Sequence, residues 1–237
     1  MIHIILGAII NLLIISPLVI LTLNDKTRKT FNILMVFGVF YLSNTILLFL
    51  PLEFKHLSLL KGSWNWTGKM FAILGSFIFI LLHKRPSLKQ YHLTLNQHRN
   101  FILKGVLVVM SILFVRTGVS FYLGASTKGD VETILFQLTM PGIDEEIAFR
   151  GIMLGLLFNV LRPFQTKIFH PAIIVTATLF GLVHGLVVTQ DFELYFDAFP
   201  FLNSFALGII WGWLTIESGS ILLPLVSHNL FNVLIHF

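Results

Sequence analysis

Residues 131–160 read V-E-T-I-L-F-Q-L-T-M-P-G-I-D-E-E-I-A-F-R-G-I-M-L-G-L-L-F-N-V. Four ionisable side chains, Asp144, Glu145, Glu146 and Arg150, stand within an apolar run long enough to cross a bilayer. Each charge at mid-helix costs roughly 3 kcal/mol on the insertion scale. Four of them facing lipid would cost on the order of 10 kcal/mol, comparable to the folding free energy of a whole domain. They are therefore expected to face a bundle interior or a wet cavity. Glu146 and Arg150 are i,i+4, share a helix face and can pair. Glu145 lies about 100° round the helix and can point elsewhere.

The rest of the chain fits that setting. Of 237 residues, 56% are hydrophobic and 11% charged, and the mean hydropathy is +0.87. An average soluble domain has about 25% charged residues, so the bilayer is the natural solvent for this composition. The formal charge of +5 does not indicate nucleic acid, because the basic residues cluster in short loops between apolar runs. With no cysteine, disulfide staples and thiolate zinc sites are excluded. Residues 2–23 have neither a basic start nor a small-residue cleavage site, and they read as a retained first span rather than a signal peptide.

Apolar runs place spans near 2–23, 31–52, 64–82, 101–123, 132–160, 170–188, 201–216 and 219–236. The expected fold is all-α: a polytopic membrane protein of about eight transmembrane helices around a buried polar cavity. A kink or break is expected at Pro141–Gly142. With the N-terminus outside, the inside loops hold Lys26, Arg28, Lys29, Lys84, Arg85, Lys89, Arg99, Arg162 and Lys167. The outside loops hold Lys55, Lys61, Lys69 and Lys128. Nine against four favours that orientation. No linker or repeat divides the chain, which reads as a single membrane domain (1–237). Its N-terminal helices (1–130) have no assigned role, and a core (131–237) carries the chemistry.

Two further spans contribute polar residues. His184 lies one turn after Phe180, and Gly181 and Gly185 permit close helix approach beside it. His228 and Asn232 are i,i+4 on the last span. A lone intramembrane histidine is commonly interhelical glue, and a Glu–Arg pair is commonly structural. Lys104 and Arg116 are expected to snorkel or to pair with a carboxylate. The combination is better suited to amide hydrolysis, which needs an activated water, a proton for the leaving amine and a hold on the oxyanion. In this reading Arg150 compensates Glu146. Glu145, less well compensated, takes the proton from a water that His184 also holds. His228 and Asn232 donate to the developing oxyanion. No H-E-x-x-H, G-x-S-G or G-x-G-D pattern occurs.

Three segments, Glu145-Glu146-Ile-Ala-Phe-Arg150, Phe180-Gly-Leu-Val-His184 and His228-Asn-Leu-Phe-Asn232, resemble in order the motifs E-E-x-x-x-R, F-x-x-x-H and H-x-x-x-N. These belong to the CPBP intramembrane peptidases, which join type II CAAX prenyl endopeptidases to bacterial bacteriocin-processing and self-immunity (Abi) proteins. The resemblance covers about residues 131–236. It implies an eight-helix fold, water activation by Glu145 with His184, oxyanion stabilisation by His228 with Asn232, and a supporting role for Glu146, Arg150 and Phe180. The family is often labelled a metalloprotease. Zinc is possible on Glu145, His184 and His228, but a metal-free mechanism is favoured because an amide donates to an oxyanion and binds zinc poorly. The expected partners are membrane lipids and a peptide or membrane-protein substrate, in a bacterial plasma membrane and without nucleic acid. The alternatives are a non-catalytic immunity or scaffold protein that keeps the fold, and a transporter or proton relay, for which the paired broken helices of an inverted repeat are missing.

Overall fold

The computed structural model describes residues 1–83, 87–124, 128–164 and 167–236. Within these, eight helices account for most of the chain. They are α1 (Ile2–Leu21), α2 (Arg28–Glu53), α3 (Trp66–Leu82), α4 (Arg99–Leu123), α5, α6 (Pro171–Gly185), α7 (Ala198–Ser218) and α8 (Leu222–Val233). Helix α5 is continuous but composite: α-helical over Val131–Glu145, π-helical over Glu146–Met153 and α-helical again over Leu154–Phe158. Each expected span coincides with one helix. By length and composition α1, α2, α4 and α7 can each cross a membrane, whereas α3, α6 and α8 are apolar but shorter.

Local chemistry sets the helix starts. Thr27, Asn65, Asp130 and Asp197 cap α2, α3, α5 and α7 by accepting backbone N–H bonds from Thr30, Gly68, Thr133 and Phe199. Pro171 opens α6, where its missing N–H costs nothing. Glycine in the left-handed conformation ends α7 at Gly219 (φ +77°).

Three expectations need correction. First, the helix is not broken at Pro141–Gly142; its irregularity is the π-helical stretch that begins at Glu146. The Gly142 N–H donates to Asn229 Oδ1 of α8 at 2.8 Å, so α5 is held at this point by a neighbouring helix and stays helical. The wider turn comes next, as such stretches often do at functional sites. Second, residues 186–188 are not helix. Leu186–Val188 (β1) pairs antiparallel with Leu194–Phe196 (β2), Val187 opposite Tyr195. The β-branched Val187 and Val188 favour the extended form. Third, Lys69 does not belong to an outside loop. It lies in α3, buried, which leaves three outside lysines in the charge tally. Lys84 and Arg85 of the same tally lie outside the described residues.

Helices α6 and α7 meet through glycines on both sides. A Cβ at Gly208 would lie 2.9 Å from Ala177 Cα, and one at Gly185 would lie 2.7 Å from the Asp197 carbonyl oxygen. Segment 87–98 closes one end of the bundle. Ile221 N–H donates to His92 O at 3.1 Å and His98 N–H to Ser218 O at 2.8 Å. On α4, by contrast, Phe114 is 79% and Phe121 91% exposed, as suits a surface that faces lipid. Lys104 lies over the Trp213 ring at 5.2 Å and Arg116 over Phe231 at 4.7 Å, contacts that favour cations over aromatic faces.

Gly208→Leu should therefore lower thermal stability in detergent by about 1–3 kcal/mol or more through overpacking. Leu107→Ala, on the exposed side of α4, should change it by about 0.5 kcal/mol or less. Equal effects would refute the close α6–α7 packing.

Candidate active site

The charges of α5 face inward and each meets a partner. Arg150 Nη1 lies 3.1 Å from Glu146 Oε1, both groups wholly buried. The guanidinium is also 4.1 Å from the Phe180 ring and 5.2 Å from Trp211. It is thus sandwiched between a carboxylate and aromatic faces, a packing that a planar, weakly hydrated cation tolerates. Lys69 of α3 lies 2.9 Å from Asp144 Oδ2 and 2.6 Å from Glu145 Oε1. Glu145 is therefore not the poorly compensated member of the pair: one of its oxygens is held by an ammonium.

Its other oxygen is not held. Glu145 Oε2 is buried with no hydrogen-bond partner among the described residues. It lies 3.9 Å from His184 Nε2 and 3.8 Å from His228 Nε2, too far for direct hydrogen bonds. The far side of each ring is fixed. His184 Nδ1 is 2.7 Å from the Phe180 carbonyl oxygen, and His228 Nδ1 is 2.8 Å from Glu146 Oε1. Both partners can only accept, which assigns the proton of each neutral ring to Nδ1 and the lone pair to Nε2. Three acceptors thus converge on one small volume, an arrangement that calls for a donor between them.

Phe180 organises this group. Its ring contacts His184 at 4.6 Å, Phe149 at 5.1 Å and His228 at 6.0 Å, so the F-x-x-x-H spacing puts a packing platform one turn behind the histidine. Trp211 of α7, which the sequence did not single out, stacks on His228 at 4.4 Å and donates Nε1–H to Ser227 Oγ at 3.0 Å.

A cavity of about 640 Å³ opens beside Glu145, between α1, α2, α5, α6 and β1, and His184 lines it as well. His228 is not among the lining residues and sits behind Glu145. Asn232 is half-buried and shares no hydrogen bond with the group. Asn229 is the asparagine of α8 that bonds to α5. Of the expected site residues, Glu145, Glu146, Arg150, Phe180, His184 and His228 come together, while Asn232 makes no hydrogen bond to them among the described residues. Lys69, Asp144, Trp211 and Asn229 complete the cluster. Lys69 carried a readable signal, because a lysine inside an apolar span is as costly as the carboxylates of α5.

As a zinc set, Glu145, His184 and His228 have suitable chemistry, and both rings have their outer nitrogens oriented. The spacing fits less well. Ligands about 2.0–2.1 Å from a tetrahedral zinc stand roughly 3.4 Å apart, closer than the 3.8 and 3.9 Å found. Among the described residues no group of three or more His, Asp or Glu is placed to hold a metal.

Residues 128–234, which contain all three motifs, match the family model described as type II CAAX prenyl endopeptidase Rce1-like. The match supports a CAAX-protease-like family, a family of peptide hydrolases. No curated protein and no solved structure matches the chain.

Lys69→Met leaves Asp144 and Glu145 buried without their cation and should cost about 3–5 kcal/mol of stability. Adding Asp144→Asn should restore a large part of the loss, since it removes one of the two stranded charges. Thermal unfolding of both variants checks this; a Lys69→Met variant as stable as the parent would show that the pair is not buried.

Proposed function

We propose that this chain is an intramembrane endopeptidase that hydrolyses a peptide bond in a membrane-associated or short peptide substrate. The observation that carries the reading is the unpartnered Glu145 Oε2 facing two histidine lone pairs at the end of a cavity. A water between Oε2 and His184 Nε2 can donate to both and keeps its own lone pair for attack. As its oxygen bonds to the scissile carbonyl carbon, its proton passes to Glu145 Oε2. The tetrahedral intermediate then collapses: the C–N bond breaks and the same proton is delivered to the leaving nitrogen. Lys69, on Oε1, keeps the carboxylate in position through both steps.

Stabilisation of the oxyanion falls to His228 in this scheme. The neutral ring donates Nδ1–H to Glu146 and carries a lone pair at Nε2, so in this scheme it donates to the oxyanion only after Nε2 takes up a second proton, between the Glu145 and Glu146 carboxylates. Asn232, one turn along the same helix, would have to turn into the cavity to assist. No step passes through a metal. The suited biological settings are a bacterial cell membrane and a leader peptide, a bacteriocin precursor or a self-immunity target. A prenylated substrate follows only from the name of the matching family.

Glu145→Gln should lose about 10²–10⁴-fold in cleavage of a quenched peptide library, the usual worth of a general base, with little change in melting temperature. Full cleavage by a folded variant would exclude Glu145 as the base. A folded wild-type protein that cleaves nothing would favour the non-catalytic immunity or scaffold role.

Metal dependence is tested separately. Chelation followed by removal of the chelator should leave most activity, and elemental analysis should find well under one zinc per chain. Activity lost on chelation and regained with zinc alone would overturn the metal-free mechanism.

A further inference from the structure

The wall of the cavity opposite Glu145 is supplied by α1 and α2, which lie outside the segment that matches the family. That wall carries a charged pair, His3 and Glu53, where α1 begins and α2 ends, and a separate polar group, Asn11, Tyr41, Asn44 and Thr45, nearer the middle of the two helices. Asn11 is only 4% exposed. Its Nδ2 donates to the Tyr41 hydroxyl at 3.0 Å, while its Oδ1 is buried with no partner among the described residues. Asn44 has the complementary deficit: its Nδ2 donor is buried without a partner. Thr45 donates to the Tyr41 carbonyl at 2.9 Å and is already satisfied.

A buried polar atom without a partner costs free energy comparable to a lost hydrogen bond. Two such atoms in one cavity, an acceptor and a donor, match a group that offers both an N–H and a C=O. A hydrocarbon chain could satisfy neither. A carboxylate would meet the Asn44 donor but be repelled by the Asn11 oxygen. An extended residue presents its own N–H and C=O on one side and can satisfy both at once.

We propose that Asn11 and Asn44 form a main-chain clamp that binds one extended residue of the substrate, its N–H donating to Asn11 Oδ1 and its C=O accepting from Asn44 Nδ2, with Tyr41 holding Asn11 in the accepting orientation. The clamp rests on the peptidase reading and deepens it: the substrate is engaged as extended polypeptide, and its apolar side chains occupy the remaining cavity wall. Asn11 and Asn44 are positioning residues. The residue they hold sets which neighbouring bond reaches Glu145 and His184.

The test measures binding, so that it is separable from catalysis. A fluorescein-labelled peptide of alanine, leucine and valine, and the same peptide with every amide N-methylated, are titrated into the Glu145→Gln protein in detergent. N-methylation removes the N–H groups and keeps the carbonyls. The unmethylated probe should bind at least ten-fold tighter. Asn11→Ala in the same background should reduce that preference to two-fold or less. Asn44→Ala should weaken both probes alike, by five-fold or more, and leave the preference intact.

A preference unchanged by Asn11→Ala would overturn the clamp. So would equal binding of the two probes to the unsubstituted Glu145→Gln protein, a comparison that remains decisive if Asn11→Ala fails to fold. If wild-type protein cleaves no peptide while the Asn11-dependent preference persists, the peptidase reading fails and the clamp stands. Cleavage with no such preference gives the reverse.

Discussion

The interaction on which the site depends is the bridge from Lys69 of α3 to Asp144 and Glu145 of α5. Without it three adjacent or nearly adjacent carboxylates, Asp144, Glu145 and Glu146, would share one buried helix with a single arginine. With it, three carboxylates face two cations, Lys69 and Arg150, and one negative charge is left over. The two histidine rings meet the remainder, each with a nitrogen within 4 Å of a carboxylate oxygen. Charge balance thus joins α3, α5, α6 and α8 into one unit. It also divides labour between the oxygens of Glu145: one is fixed by an ammonium and the other is left for chemistry.

Much of this was readable from the sequence, because burial in a bilayer makes polar residues conspicuous. Apolar length located every helix to within a few residues. The i,i+4 rule located the Glu146–Arg150 pair, and the cost of a charge at membrane depth placed the α5 cluster inside. Lys69 was overlooked although the same cost applied to it, since a lysine near a helix start reads as an interfacial charge. Which asparagine of α8 reaches α5 was not legible. Asn229 and Asn232 differ by three residues, and only the approach of α8 to Gly142 selects Asn229. The hairpin after α6 was hidden because Leu186, Val187 and Val188 are as apolar as a helix end.

The polar atoms of α1 and α2 illustrate a further limit of motif reading. Asn11 and Asn44 are ordinary residues in ordinary apolar helices. Nothing in their local sequence connects positions 33 residues apart (44 − 11). The connection exists only once α1 and α2 wall the same cavity as the α5 carboxylates.

The uneven burial of the helices bears on how the protein meets its membrane. Eleven of the fifteen residues of α6 are buried, against four of the twenty-five of α4. At a rise of 1.5 Å per residue α6 spans only about 22 Å, short of a hydrocarbon core of about 30 Å. Because α6 is enclosed by other helices, that shortfall is not a hydrophobic mismatch with lipid. The longer outer helices set the bilayer thickness the protein fits. The length of the histidine-bearing helix is consequently free to follow the dimensions of the cavity, and a change of membrane thickness would act first on the periphery.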